Sequence, residues 1–241
     1  VILFSYAVIM IREYLKLARS FNAVLTGISP VMGAIAMQQY NILVLLILFL
    51  IGFFGHTFGF VFNDIIDYKI DKTSKEITDR PLISGTISLK NAWLFALLCL
   101  FLAFIIALYI AYTTTIFYPL IILVFSASSI ILYDLISKKL PFMDIFVALG
   151  IFFFILYGAS TQVESISEIS LLAWLVCILG SIQVLFMQIV AGGLKDIEND
   201  FKTGAKTAAV ALGVRVTNNR LHASVSFQLL AFGIQLIDII I

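Results

Sequence analysis

Asp64, Asp67 and Asp71 lie three and four positions apart at the end of a long apolar segment. On a helix, this spacing places all three carboxylates on one face. Like charges on one face repel each other unless a cation lies among them, and Mg2+ takes oxygen ligands from a few carboxylates and a substrate phosphate. The run therefore predicts a site for Mg2+ and a diphosphate. The alternative is a solvated helix whose carboxylates pair with Lys69 and Lys72.

A second acidic cluster strengthens the metal prediction. Asp196 and Asp200 are one helical turn apart and directly follow the pair Gly192 and Gly193. Asp196 lies 132 positions after Asp64 (196 − 64), and each cluster follows an apolar segment. We therefore expect an internal repeat. In it, the two clusters face each other and hold Mg2+ ions that a diphosphate bridges.

The composition places this site at a membrane. Hydrophobic residues make up 62% of the chain and charged residues 12%, with a mean hydropathy of +1.11, whereas a soluble domain has about 45–50% and about 25%. Apolar windows of about 20 residues predict membrane-spanning helices and not the short alternating strands of a membrane barrel. The seven predicted spans lie near residues 21–38, 41–62, 91–112, 116–133, 142–159, 171–194 and 221–241. We expect an all-α integral membrane protein, a polytopic helical bundle in one domain, 1–241.

The positive charges predict the orientation of these spans. All fifteen Lys and Arg residues lie in the N-terminal tail and in the loops after the second, fourth and sixth spans. The intervening loops, near residues 38–41, 112–115 and 160–170, contain none. By the positive-inside rule, the N-terminus and the three charged loops are cytoplasmic. Both acidic clusters therefore lie at the cytoplasmic side of a multi-pass protein of the cell membrane.

The residues around both clusters closely resemble the UbiA superfamily of intramembrane prenyltransferases. The resemblance rests on the acidic run from Asn63 to Asp71, on Asp79, Arg80 and Pro81 with Ser84 and Gly85, and on Asp196 and Asp200 with Lys206, Thr207, Leu212 and Gly213. It implies two pseudo-repeated four-helix halves, about 12–133 and 134–241, around a central cavity. The family has nine spans, so the resemblance implies that the last helical hairpin is missing from the seven found here.

The resemblance also implies a reaction. A prenyl group would pass from a prenyl diphosphate, such as geranylgeranyl diphosphate, to a lipophilic acceptor, with Mg2+ as cofactor and release of diphosphate through an allylic carbocation. The acceptor expected first is an aromatic ring of a quinone precursor. The residue sequence of the first motif and the segment Ser84 to Gly85 also resemble those of archaeal digeranylgeranylglyceryl phosphate synthases, which make ether lipids. That activity is the alternative.

Roles for single residues follow from the same resemblance. The implied catalytic Mg2+ ligands are Asp64, Asp67, Asp71, Asp196 and Asp200. The implied substrate-binding residues are Asn22, Asn63, Arg80, Tyr133, Lys195 and one of Lys138 and Lys139. Lys195 is equally compatible with a phosphate ligand and with a salt-bridge partner of Asp196.

Carboxylates on repeated membrane helices also occur in cation transporters, so a cation-coupled transporter is the more distant alternative. Transporter sites usually lie near the bilayer midplane, whereas these clusters lie at the cytoplasmic side. His56, within the second span, either lines the cavity or forms a hydrogen bond within the bundle. Asp134 and Asp144 flank the loop after the fourth span and are predicted to terminate helices. The bilayer is an expected partner, and nucleic acid is not.

Overall fold

The computed structural model describes residues 2–72, 78–217 and 220–241, with side chains from Val8 onward. Lys75, in the charged loop after the second predicted span, lies outside the described residues. The described part of the chain forms ten α-helices and one antiparallel hairpin of two strands. The helices are α1 (Ile2–Leu17), α2 (Ser20–Ala36), α3 (Ile42–Asp71), α4 (Leu89–Thr114), α5 (Pro119–Ile136), α6 (Asp144–Ser160), α7 (Leu171–Phe186), α8 (Gly193–Thr203), α9 (Ala208–Ala211) and α10 (Val225–Ile240). The strands are β1 (Arg215–Thr217) and β2 (Arg220–His222).

Each of the seven predicted spans coincides with an apolar helix, and the fold is that of a helical membrane protein. Four helices are long and apolar enough to cross a membrane: α3, α4, α5 and the continuous helix Leu171–Thr203. The apolar helices α2, α6 and α10 have 16 or 17 residues. At about 1.5 Å per residue, such helices are slightly shorter than a hydrocarbon core of about 30 Å.

Helices α2 and α6 cross with their backbones in contact. A Cβ atom on Gly158 would lie 1.8 Å from the carbonyl oxygen of Pro30, and one on Gly33 would lie 2.0 Å from that of Ile155. Gly158 follows Gly33 by 125 positions (158 − 33), and Ile155 follows Pro30 by the same number (155 − 30). Each helix therefore places a glycine against a carbonyl oxygen of the other helix at an equivalent position. Such a reciprocal contact is expected if a two-fold axis relates two pseudo-equivalent halves of the chain.

Helix α3 continues beyond its apolar segment and carries the first acidic cluster on its last turns. The side chain of Asn41 caps its N-terminus by accepting from the backbone N–H groups of Leu43 and Val44. Its 30 residues extend about 45 Å, which exceeds the hydrocarbon core by several turns. Hydropathy alone predicts an end near residue 62. The helix continues to Asp71 because its last turns bury Ile65 against Leu17 and Leu82.

The second acidic cluster lies on a helix of similar length. Leu171–Thr203 is one helix of 33 residues, in which a π-helical segment, Met187–Gly192, joins α7 to α8. Such insertions occur often at functional sites. Helix α8 buries Ile197 and ends at Thr203, and the next residue, Gly204, has a φ of 70°, a conformation that favours glycine.

The last predicted span begins later than expected. Its predicted start at residue 221 lies in the hairpin, where Leu221 pairs with Val216 and His222 with Arg215. Helix α10 begins at Val225, after Ser224 has accepted a hydrogen bond from the backbone N–H of Phe227. The charged segment before this span is therefore a small sheet, which the apolar windows did not indicate.

Candidate active site

Two guanidinium groups neutralise the buried carboxylates of the first cluster. The side chains of Asp64 and Asp71 are 6% and 7% exposed. Arg19 Nη2 lies 2.9 Å from Asp64 Oδ1, and Arg80 Nη1 lies 2.6 Å from Asp71 Oδ2 and 3.4 Å from Asp64 Oδ1. Arg80, a predicted substrate-binding residue, thus contacts two carboxylates of the first cluster.

Arg19 was not selected from the sequence. It precedes α2 with a left-handed backbone, φ 45°, which is uncommon for a residue with a Cβ atom. Its guanidinium lies 4.6 Å from the centre of the Phe60 ring while it donates to Asp64. One available signal was an arginine directly before the first span, which is predicted to lie at the same membrane side as the first cluster. Asn22, the predicted contact three residues later, has an exposed side chain on the first turn of α2.

The turn that follows α5 supplies a third cation. Lys138 Nζ lies 2.7 Å from Asp67 Oδ2, whereas Lys139 is exposed. The structure therefore favours Lys138 among the two predicted lysines. Tyr133 is half-buried and lies within electrostatic range of both Asp67 and Asp200.

Asp200 of the second cluster lies near residues of the first cluster. It is buried, and its Oδ2 accepts a hydrogen bond of 2.9 Å from Thr207 Oγ1. The next loop is attached to the end of α5, because the backbone N–H of Lys206 donates to the carbonyl oxygen of Lys138 at 3.0 Å. Asp200 lies within electrostatic range of Lys138 and Asp67. The Lys138 ammonium therefore attracts carboxylates of both clusters.

Asp196 and Lys195 lie in a different environment. Both are exposed on α8. They line a cavity of about 270 Å³ whose other walls include Val216 and Leu221 of the hairpin. The structure therefore brings Asp200, but not Asp196, close to the ion pairs of the first cluster.

In the described part of the chain, no three acidic, histidine or cysteine side chains converge closely enough to hold a metal ion. Asp64, Asp67 and Asp71 are each paired with a cation of the chain instead. The donor set nevertheless fits Mg2+, because the two clusters offer carboxylate oxygens and an adjacent amide oxygen of Asn63. The clamp of two facing clusters remains a prediction.

Three further polar residues near the site have distinct positions. His56 is buried, its ring stacks on Phe60 at 4.2 Å, and its Nε2 has no hydrogen-bond partner among the described residues. Asp144 is the first residue of α6, as predicted for a helix terminus. Asp134 was predicted to terminate a helix as well, but it lies inside α5, buried, and its Oδ1 accepts from Asn63 Nδ2 at 3.0 Å.

The chain is similar to known proteins over most of its length. The model of the UbiA prenyltransferase family matches residues 24–239. The digeranylgeranylglyceryl phosphate synthase of Methanobrevibacter smithii is 29% identical over 207 residues, which are 85% of this chain and 70% of that protein. The synthase of the same name from Pyrococcus horikoshii is 27% identical over 207 residues, which are 84% of this chain and 69% of that protein.

Solved structures share the fold. A UbiA homologue from Archaeoglobus fulgidus, bound to GPP and Mg2+, superposes with a TM-score of 0.71 at 20% identity, over 95% of this chain and 75% of that one. A digeranylgeranylglyceryl phosphate synthase structure gives a TM-score of 0.70 at 24% identity, with the same coverage of both chains. At these identities the likeness shows the fold alone.

Proposed function

The chain belongs to the UbiA prenyltransferase family, and on this premise we propose that it transfers a prenyl group from a prenyl diphosphate to the hydroxyl group of a prenylated glycerophosphate, in a Mg2+-dependent reaction. The curated relatives reported above support this acceptor, because both are digeranylgeranylglyceryl phosphate synthases. The aromatic quinone precursor, which was expected first from the sequence, has less support than this alternative. The A. fulgidus homologue bound to GPP and Mg2+ supports the donor class and the metal.

The observation that carries the proposal is the set of ion pairs in the first cluster. Three cations of the chain, Arg19, Arg80 and Lys138, contact carboxylates of one helix. In a complex, the phosphate oxygens of the donor would accept hydrogen bonds from these cations, since guanidinium groups bind phosphate in a bidentate manner. The same three cations would stabilise the negative charge that develops on the leaving group.

The carboxylates released from these pairs would hold the metal. Asp64, Asp67 and Asp71 offer oxygen atoms on one helix, and Asp200 offers one from the second cluster. Asp196 would join them only after a movement of α8. Mg2+, when bound there, supplies further neutralisation of the diphosphate as it leaves.

The chemistry balances with the donor and acceptor alone. The bond between the allylic carbon and the diphosphate oxygen breaks, and its electron pair stays with the diphosphate. A hydroxyl oxygen of the acceptor then forms the new carbon–oxygen bond, and its proton passes to the released diphosphate. Phe60, which lies under the Arg19 guanidinium, is an aromatic ring in contact with a cation of the first cluster. Its face would help to exclude water from the carbocation.

The test is prenyl transfer by the purified protein in detergent. Labelled geranylgeranyl diphosphate is incubated with Mg2+ and, separately, with geranylgeranylglyceryl phosphate, hydroxybenzoate or dihydroxynaphthoate. We expect a labelled lipid with the glycerophosphate only, and none with chelator or with Asp64→Asn. A product with an aromatic acceptor alone would overturn the proposed acceptor. No consumption of donor under any condition would overturn the proposed reaction and favour cation transport.

A further inference from the structure

Two polar contacts with the same sequence separation join α5 and the turn after it to the segment that carries the first acidic cluster. Asn63 Nδ2 donates to Asp134 Oδ1 at 3.0 Å, and Lys138 Nζ donates to Asp67 Oδ2 at 2.7 Å. The partners in each contact are 71 positions apart. The second contact lies one helical turn beyond the first on both chain segments. The ends of α3 and α5 therefore run in the same direction and are fixed against sliding along each other.

The two contacts differ in how easily a bound diphosphate could replace one of the partners. The Lys138 side chain is 29% exposed, and in the proposed reaction this ammonium binds the diphosphate. Asp134 is 7% exposed and contacts the neutral amide of Asn63, so neither partner is a cation that a diphosphate would attract. The bond between Asn63 and Asp134 can therefore keep the two helices in register while Lys138 changes partners.

The buried carboxylate also determines which way the amide of Asn63 points. A carboxylate oxygen accepts hydrogen bonds, and the Nδ2 of the amide is its donor. Because Nδ2 is directed to Asp134, the carbonyl oxygen of Asn63 is directed away from α5. An amide oxygen with this fixed direction, next to Asp64, is a suitable neutral ligand for a hard cation.

Packing alone gives no reason for a carboxylate at this position. Asp134 Oδ2 is buried and has no hydrogen-bond partner among the described residues. A half-satisfied carboxylate in a buried place costs free energy that an apolar side chain of similar size would not. Unpaired buried oxygens of this kind call for a functional explanation.

We propose that Asp134 is a positioning residue, whose buried carboxylate fixes the Asn63 amide so that its oxygen can bind Mg2+ together with the donor diphosphate. This inference rests on the proposed function. Asp134 touches neither substrate nor metal and acts through Asn63. The sequence had suggested only a helix terminus at this residue.

The test measures ligand binding separately from turnover. The thermal midpoint of the detergent-solubilised protein is recorded with and without Mg2+ plus an unreactive thio analogue of geranylgeranyl diphosphate, and an analogue titration gives the apparent Kd. We expect Asp134→Leu to raise this Kd about ten-fold or more, because one charge-assisted hydrogen bond is lost. Asp134→Asn should stay within about three-fold of wild type, because its carbonyl oxygen still accepts from Asn63. Asp134→Ser, whose hydroxyl is too short to reach Asn63, replaces the leucine variant if that variant does not fold.

Ser126→Ala is the matched control. Ser126 is buried on the same helix, but its hydroxyl donates to the carbonyl oxygen of Gly150, away from the acidic cluster. The control should lower the midpoint of the ligand-free protein and leave the analogue Kd unchanged. In donor kinetics, Asp134→Leu should raise KM for the donor and for Mg2+, and Asp134→Asn should restore both.

The measurements distinguish failure of the proposed function from failure of the positioning role of Asp134. If wild-type protein shows no Mg2+-dependent response to the analogue, the proposed function fails. If wild-type protein responds and Asp134→Leu binds the analogue equally well, the positioning role is wrong. Equal losses in Asp134→Leu and Asp134→Asn would show that charge matters rather than the acceptor for Asn63, which would also overturn the inference.

Discussion

Arg19 shows how one side chain connects the start of the bundle to its acidic cluster. Its backbone adopts a left-handed conformation, which costs about 1–2 kcal/mol for a residue with a side chain. A charge-assisted hydrogen bond to the buried Asp64 and the contact with the Phe60 ring offset that cost. Strained residues held in this way often occur at functional sites.

Replacement of Arg19 should therefore impair the reaction. We expect Arg19→Ala to lower kcat/KM about 10- to 100-fold, because a hydrogen bond between charged groups is lost. Arg19→Lys should recover only part of the activity, since an ammonium group cannot form the bidentate contact. Labelled product formation is the measurement. Arg12→Ala, which removes an exposed arginine of the same N-terminal segment, is the control and should retain full activity.

The two lysines after α5 should differ sharply. Lys138 contacts Asp67 and lies in the field of Asp200, whereas Lys139 is exposed. We expect Lys138→Ala to lower kcat/KM by about 10-fold or more, and Lys139→Ala to have little effect. Equal losses in both variants, in the same donor assay, would contradict the position of this site.

At the residue level, the sequence predicted a shared helical face better than it predicted which side chains contact each other. The spacing of Asp64, Asp67 and Asp71 predicted a shared face because helical period is a local property. Arg19 was missed because its contact joins positions 45 residues apart. Such contacts depend on how α1, α2 and α3 pack, which no local pattern encodes.

Helix length is the main difference at the level of elements. Hydropathy placed the ends of the second and sixth spans near residues 62 and 194, whereas the helices continue to Asp71 and Thr203. Apolar windows end where polar residues begin, but polar residues can remain helical. The π-helical segment Met187–Gly192 was not predicted, because it depends on packing and has no strong sequence signal.

The crossing of α2 and α6 should tolerate no added methyl group. We expect Gly33→Ala and Gly158→Ala each to lower the thermal midpoint in detergent by roughly 2–12 °C, because each Cβ atom would overlap a backbone carbonyl. Gly233→Ala on α10 is the control, since a Cβ atom there meets nothing within 4 Å. Its midpoint should stay unchanged or rise slightly. Similar midpoints for all three variants would show that the crossing is not tightly packed.

For the whole molecule, composition was enough to predict a helical membrane protein, and the two acidic motifs were enough to predict its family. The sequence also indicated two related halves. One helix of each predicted half takes part in the reciprocal contact at Gly33 and Gly158, and the division into halves stays a prediction. The halves differ in their acidic clusters, since Asp64 and Asp71 contact arginines while Asp200 contacts Thr207. That difference could not be read from two motifs of similar spacing.

The orientation of the bundle is testable by labelling single cysteines. The native Cys99 and Cys177 are buried, so they should give a low background. Lys139→Cys, at the predicted cytoplasmic side, should react with an impermeant maleimide in inverted vesicles only. Tyr112, exposed near the C-terminal end of α4, is predicted to lie at the other side of the membrane. Tyr112→Cys should therefore react in right-side-out vesicles only. The reverse pattern would overturn the orientation predicted from the positive charges.

The ion pairs of the first cluster also constrain the sequence in which ligands bind. Asp64, Asp67 and Asp71 are matched by Arg19, Arg80 and Lys138, so the ligand-free cluster is nearly neutral. A divalent ion that arrives alone must compete with these cations, whereas a prenyl diphosphate offers them new partners. We expect Mg2+ alone to leave the thermal midpoint unchanged and to bind only with the donor present. On this expectation, Mg2+ binds together with the donor or after it, and kinetic data should not fit a rate law in which the free enzyme binds Mg2+ first.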